Sequence, residues 1–252
     1  MAVTADGSIF LGFTDDDFVG SLARVSPDGA ELEVVIPADG TLLRPQGLWY
    51  DAFTDSLLLA DVNADTIYEV DPHTYALTVL TTAVPEPSDA TRRPGEELTY
   101  VTARAEGLVY AVTPDGAATA LPGSVPDAHS LVPGQNGELY VMATGIQSLV
   151  SVDQEGGGAT VLATRFSTAP PVGVCLDVLP NGLFLTDHAG ATMHHYDITT
   201  GEVEPFFQVE EDVYECGHDA APDYDGDGWF TMAHAGDDCN DYDADVFPGQ
   251  GC

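Results

Sequence analysis

The densest chemistry in the sequence lies near its end. Residues 210–245 carry thirteen Asp and Glu residues and no Arg or Lys. Among them Asp223, Asp225 and Asp227 alternate and Gly228 follows. At that spacing alternate carboxylates converge on one cation, and the glycine permits the sharp turn that closes the loop. Asp238, Asn240 and Asp241 come next, and Asp243 and Asp245 repeat the alternation. Oxygen ligands of this hardness favour Ca²⁺ over softer metals, and no Cys or His cluster stands at ligand spacing beside them. The twelfth position of the loop, where a bidentate Glu belongs, is His234. Asp237 or Asp238 would then have to supply oxygens by folding back. The competing reading is an acidic turn that is simply solvated.

Elsewhere the motifs of catalysis are nearly absent. The chain has no G-x-S-x-G elbow, no H-E-x-x-H and no Gly-rich phosphate loop. Gly156-Gly157-Gly158 reads as a hairpin turn. Asp127-Ala-His129 and Asp187-His188 place acids near histidines, at a spacing common by chance. The histidines gain interest only when the chain is aligned on itself.

That self-alignment is the strongest organisational signal. LARVSPDG from Leu22, IYEVDPHT from Ile67, VYAVTPDG from Val109, LVSVDQEG from Leu149 and MHHYDITT from Met193 share one pattern, at steps of 45, 42, 40 and 44 residues. Each is followed by a short alternating run (ELEVVIP, ALTVLTT, AATALPG, GATVLAT, EVEPFFQ) and preceded by an apolar one (SIFLGFT, SLLLADV, LTYVTAR, ELYVMAT, LFLTDHA). Most have a further short run upstream, such as GLWYDAF or VGVCLDV. Four strands per unit with two-residue alternation and no helical period is the signature of a propeller blade. The sequence therefore predicts an all-β fold, a β-propeller of about six four-stranded blades over residues 1–235, with an acidic metal-binding segment over 223–252 overlapping the last blade. The sixth unit begins as GHDAAPDYDGDGWFTMAHAG but lacks its outer strands, so the last blade is expected to be incomplete and the chain to be part of a longer exported protein. Loop 84–96, VPEPSDATRRPGE, reads as a solvated insertion whose arginines pair with nearby acids.

Aligning the units puts Gln46, His129 and His218 at equivalent places, each at the start of an innermost strand, where their side chains would converge at the mouth of the central channel. His188 and His234 form a second equivalent pair. Such histidines serve as general bases or metal ligands, or else pack and hydrogen-bond.

Composition bounds the partners. The 252 residues carry 42 acids against 6 arginines and no lysine, a formal charge of −36. Such a surface repels nucleic acid and anionic membranes. The acidic segment accounts for thirteen of the acids; the other 29 against all six arginines leave −23 on the remainder, expected as a solubilising surface. With 44% hydrophobic residues the chain is expected to fold. No apolar run approaches membrane-spanning length, and the N-terminus MAVTADGSIF lacks the features of a signal peptide. Cys175, Cys216, Cys239 and Cys252 allow three disulfide pairings, or free thiols.

The repeat resembles six-bladed NHL, lactonase and lyase-type propellers, in which an Asn-Gly or Asp-Gly turn precedes a blade's second strand; here Asp6-Gly7, Asn136-Gly137, Asn181-Gly182 and Asp227-Gly228 hold that place. The fourth unit is similar to streptogramin-type lyase propellers, whose blades often begin Pro-His-Gly/Ala. The string DYDGDGW…DDCNDYDADVFPG resembles a short metal-binding repeat of exported, myxobacterial-type proteins and thrombospondin type 3 calcium repeats. That resemblance implies a Cys239–Cys252 pair and an extracellular, surface or periplasmic location. Together these readings predict an exported calcium-binding propeller that acts as a binding or scaffold module toward a protein, glycan or small molecule. The alternative is a hydrolase or lyase using His129 and His218.

Overall fold

The computed structural model describes residues 1–208 apart from 16–18, 94, 135–136, 155–156, 165–170, 177–181 and 188–191. Twenty strands among them form five four-stranded antiparallel sheets, each built from consecutive strands. Blade one holds β1 (Ala2–Val3), β2 (Ile9–Thr14), β3 (Gly20–Val25) and β4 (Leu32–Ile36). Blade two holds β5 (Pro45–Asp51), β6 (Ser56–Asp61), β7 (Thr66–Val70) and β8 (Leu77–Thr81). Blade three holds β9 (Pro87–Arg92), β10 (Thr99–Ala103), β11 (Leu108–Val112) and β12 (Ala118–Ala120). Blade four holds β13 (Ala128–Pro133), β14 (Glu138–Ala143), β15 (Ser148–Asp153) and β16 (Gly158–Thr164). Blade five holds β17 (Pro171–Leu176), β18 (Gly182–Asp187), β19 (Thr192–Asp197) and β20 (Val203–Gln208). The fold is a β-propeller, with five blades where the repeat predicts about six. The sixth unit and the whole acidic segment lie outside the described residues. The five aligned segments fall on the third strands, β3, β7, β11, β15 and β19.

The second strands explain how the blades cohere. SLLLAD in β6 is apolar without alternation because both of its faces are buried. Successive side chains point to opposite faces of a sheet, so Leu57 and Leu59 join the core shared with Phe10 and Leu22 of blade one. Leu58 and Ala60 join Val101 and Ala103 of blade three. Blade four repeats the division: Leu139 and Val141 meet Tyr100 and Val109 of blade three, while Tyr140 and Met142 meet Leu183 and Leu185 of blade five. Each interblade space is one apolar cluster. Burying a Leu in it contributes about 2 kcal/mol.

The inner strands pack on one another in order, β5 on β9, β9 on β13 and β13 on β17. Trp49 of β5 touches both the cluster between blades two and three and the cluster between blades four and five, so its indole spans the axis.

The segment expected as a solvated insertion is instead this ring's third member. Residues 87–92 form β9, and all six are buried. Its arginine does pair with acids: Arg92 is only 6% exposed and reaches Asp51 at 3.1 Å and Glu69 at 2.7 Å on blade two. Polar residues fit an inner strand here because Thr99 and these acids satisfy the guanidinium.

Part of the surplus charge also has a local task. In the turns between third and fourth strands, Asp28 accepts from Ser26 and from the Ala30 amide. Asp71 accepts from the amides of His73 and Thr74, and Asp197 from those of Thr199 and Thr200. These bonds, to Ser26 for Asp28 and to backbone for Asp71 and Asp197, hold the carboxyls below their usual range. The acids close turns by replacing a backbone acceptor.

The inner ring leaves no room at Gly47. A Cβ there would collide with Asp89 Oδ1, lie 2.5 Å from the Asp89 Cα and 2.7 Å from the Ser88 carbonyl oxygen. Gly29 has φ +69° but nothing near an added Cβ. Gly47→Ala is therefore expected to destabilise by more than about 2 kcal/mol, against about 1 kcal/mol for Gly29→Ala, in urea unfolding. Equal losses would show that the inner ring yields.

Candidate functional site at the channel mouth

The inner strands of blades two to five slip register at the same place. In β5, Pro45 pairs with Asp61 and Leu48 with Leu59, so Gln46 and Gly47 face a single residue. In β13, Ala128 pairs with Ala143 and Leu131 with Val141, so His129 and Ser130 face a single residue. In β9 the slip passes over Ser88, and in β17 over Val172. A bulge removes a residue from the ladder and re-aims its side chain. Gln46, Ser88 and His129 thus stand at the register slip near the start of the inner strand in three successive blades.

Two of these meet. Gln46 Nε2 lies 2.7 Å from His129 Nε2, although 83 residues separate them in the chain. With the amide donating, His129 accepts on Nε2 and is neutral, its proton on Nδ1. Gln46 Oε1 is then buried without a hydrogen-bond partner among the described residues. Turning the amide would place that oxygen against a protonated Nε2 instead. The convergence expected from the repeat holds for Gln46 and His129. His218, His188 and His234 lie outside the described residues.

Ser88, at the slip of the strand between them, holds the backbone rather than joining the pair. Ser88 Oγ donates to the His129 carbonyl oxygen at 2.5 Å, and Thr102 Oγ1 donates to the same oxygen at 2.8 Å. Next to it, Asp89 is 4% exposed and accepts the amides of Ala90 at 2.9 Å and Leu131 at 3.0 Å. That carboxylate joins the inner strands of blades three and four. Sequence reasoning missed Ser88, Asp89 and Thr102. The signal available was their alignment with Gln46-Gly47 and with the polar end of β10.

Acids also fix the entries to the inner strands. Asp61, fully buried, accepts the amides of Leu43 at 2.7 Å and Arg44 at 2.8 Å ahead of β5. Ahead of β13, Asp127 takes Arg104 Nε at 2.5 Å and the Thr144 hydroxyl. Partial burial pushes the Asp127 carboxyl up, but the bonds from Arg104 and Thr144, with the charges of Arg104 and His129, outweigh it and hold it below its usual value. Asp127 adopts φ 54°, the left-handed region, which these bonds enforce. The Asp127-x-His129 pairing is therefore a positioning device: both carboxylate oxygens are committed to other partners.

The proposed metal ligands Asp223, Asp225, Asp227, Asp238, Asn240, Asp241, Asp243 and Asp245 all lie outside the described residues, as do the side chains of all four cysteines. Among the described residues no group of three or more His, Cys, Asp or Glu side chains is placed to hold a metal ion. None of their helices is long and apolar enough to cross a membrane.

No protein-family model and no curated protein sequence matches the chain. Solved structures do. A chain in the crystal structure of a nidogen/laminin complex is similar with a TM-score of 0.71 at 17% identity, over 86% of this chain and 82% of that one. Virginiamycin B lyase from Staphylococcus aureus is similar at 0.65 and 12% identity, over 85% and 72%. A streptogramin B lyase is similar at 0.64 and 15% identity, over 83% and 67%. At these identities the likeness is one of fold.

The Asp127–Arg104 pair gives a pH dependence with a defined sign. A carboxyl whose folded value is depressed stabilises above its unfolded value, about 3.9, and loses that contribution as pH falls through the folded one. Urea unfolding of Asp127→Asn is expected to lie on the order of 1 kcal/mol below the parent at pH 6, for a pair about a third exposed. The gap should narrow as pH falls below the unfolded value. A gap that stays constant with pH would show that the carboxylate charge is irrelevant.

Proposed function

We propose that this propeller is a binding module that seats a polar ligand at the channel mouth, with calcium held by its C-terminal segment. One observation carries the first half of this reading: an imidazole and an amide from two blades converge at the bulges, with the Gln46 acceptor buried and unused among the described residues. Leaving such an acceptor unmade costs about 1–3 kcal/mol. The cost is recovered when a ligand supplies the missing donor. The ligand is a protein, a glycan or a small molecule; the nidogen chain of a nidogen/laminin complex offers a precedent for a propeller of this fold in a protein complex.

The calcium half rests on the donor set in the sequence. Asp223, Asp225 and Asp227 with Gly228 provide alternating hard oxygens, and Asp238 to Asp245 provide more. In our reading the propeller runs to residue 235 with a sixth, incomplete blade that brings His218 to the channel mouth beside His129, residues 223–252 hold the metal, and the chain belongs to an exported, cell-surface protein. Calcium bound only to the folded chain stabilises it by mass action.

A second reading is a lyase, favoured by the likeness in fold to a virginiamycin B lyase and a streptogramin B lyase and by the imidazole of His129 at the mouth. There His129 would act as a general base on a substrate proton. The committed carboxylates of Asp127 weigh against it, since they leave the imidazole paired with an amide.

Calorimetric titration with Ca²⁺ is expected to give a saturable heat that disappears in Asp225→Ala, and a chelator is expected to lower the Tm; no heat in the parent would remove calcium from the account. Incubation with quinupristin, carried by one solved structure of the Staphylococcus enzyme, is expected to leave that compound intact. Its consumption by the parent but not by His129→Ala would instead establish the lyase.

A further inference from the structure

The end of β5 opposite Gln46 borders a cleft of about 520 Å³ between blades one and two. Three separate turns build it: β1–β2, β5–β6 and β7–β8. Its size falls within the range of small-ligand sites. The deepest lining residues, Ser8 and Phe10, are each 1% exposed. Tyr50 and Tyr75 stand half-buried in its walls, Phe10 and Tyr75 being 6.4 Å apart between ring centres.

The polar groups are already held in place. Arg24 donates to Ser8 Oγ through Nε at 3.0 Å and Nη2 at 2.7 Å, and the same guanidinium lies 3.8 Å from Asp6. Asp6 accepts from Thr4 at 2.6 Å and from the Ser8 amide at 3.0 Å. Asp55 accepts the Tyr50 hydroxyl at 2.9 Å and faces His73 Nε2 at 2.9 Å. The hydrogen bond between them lifts the His73 value and lowers that of Asp55.

The chemistry of the lining selects the ligand. Asp6 lies against Arg24, and Asp55 against His73 and Tyr50, so no carboxylate in the cleft stands alone to recruit an ion. An anion also meets the field of a chain at −36. A cation would have to displace these partners, whereas a neutral donor need only add to them. A ring of hydroxyls with an apolar C–H face fits better. Hydroxyls donate to carboxylate lone pairs left open and accept from arginine, while the flat faces of tyrosine take the C–H face. We propose that this cleft binds a neutral sugar, held by Asp6, Arg24 and Asp55 with Tyr50 and Tyr75 as platforms.

The cleft and the channel mouth lie at opposite ends of β5, so either site stands or fails without the other. Calorimetric titration of the full chain with maltose, cellobiose and lactose, and with glucuronic acid as the charged comparison, tests the assignment. Saturable binding of at least one neutral disaccharide is expected, weaker by about tenfold in Asp55→Asn and in Arg24→Gln. The Asp115→Asn control, on an exposed turn of blade three, should bind as the parent does. Asp55 is exposed, so its variant tests recognition without risking the fold. No saturable binding up to about 50 mM overturns the proposal. So does preference for glucuronic acid, or a neutral sugar that binds both variants as tightly as the parent.

Discussion

The arrangement turns on a single buried carboxylate. Asp89 binds the Leu131 amide of blade four and the amide of its neighbour Ala90, while Gly47 of blade two presses on it closely enough to exclude a methyl group. Three inner strands therefore converge on one side chain. A buried charge survives only when its lone pairs are taken, and here backbone amides take them. That geometry sets the spacing of blades two, three and four at the axis, and so the distance over which Gln46 and His129 meet.

Around that point the blades are held by a more generic force. Each second strand divides its side chains between two neighbours, and the apolar clusters follow one another around the axis. Arg92 adds one directional contact between blades two and three. Apolar clusters tolerate exchange of similar side chains. The polar contacts at the axis do not, because each depends on particular atoms at particular distances. The same molecule is permissive in its walls and strict at its centre.

Much of this was legible in the sequence. The third strands announced themselves by a repeated pattern, and the second strands by unbroken apolar runs. The equivalence of Gln46 and His129 followed from the alignment alone. Residues 87–92 were opaque because Pro, Ser, Asp and Arg spell a loop when read locally. Only the partners on blades two and four make that segment a strand. The bulges were equally hidden, since a register slip leaves no compositional mark. So was the cleft, whose lining comes from three turns that share no motif. The acids in turns read as bulk charge, though Asp28, Asp71 and Asp197 each close a turn with their own oxygens.

The indole of Trp49, lying across the axis, gives the molecule an internal lamp. The chain has two tryptophans, Trp49 and Trp229. One packs against two of the apolar clusters between blades, the other stands in the acidic string beside Gly228. The emission of this protein is thus divided between its centre and its acidic segment, with no indole elsewhere to blur the two signals.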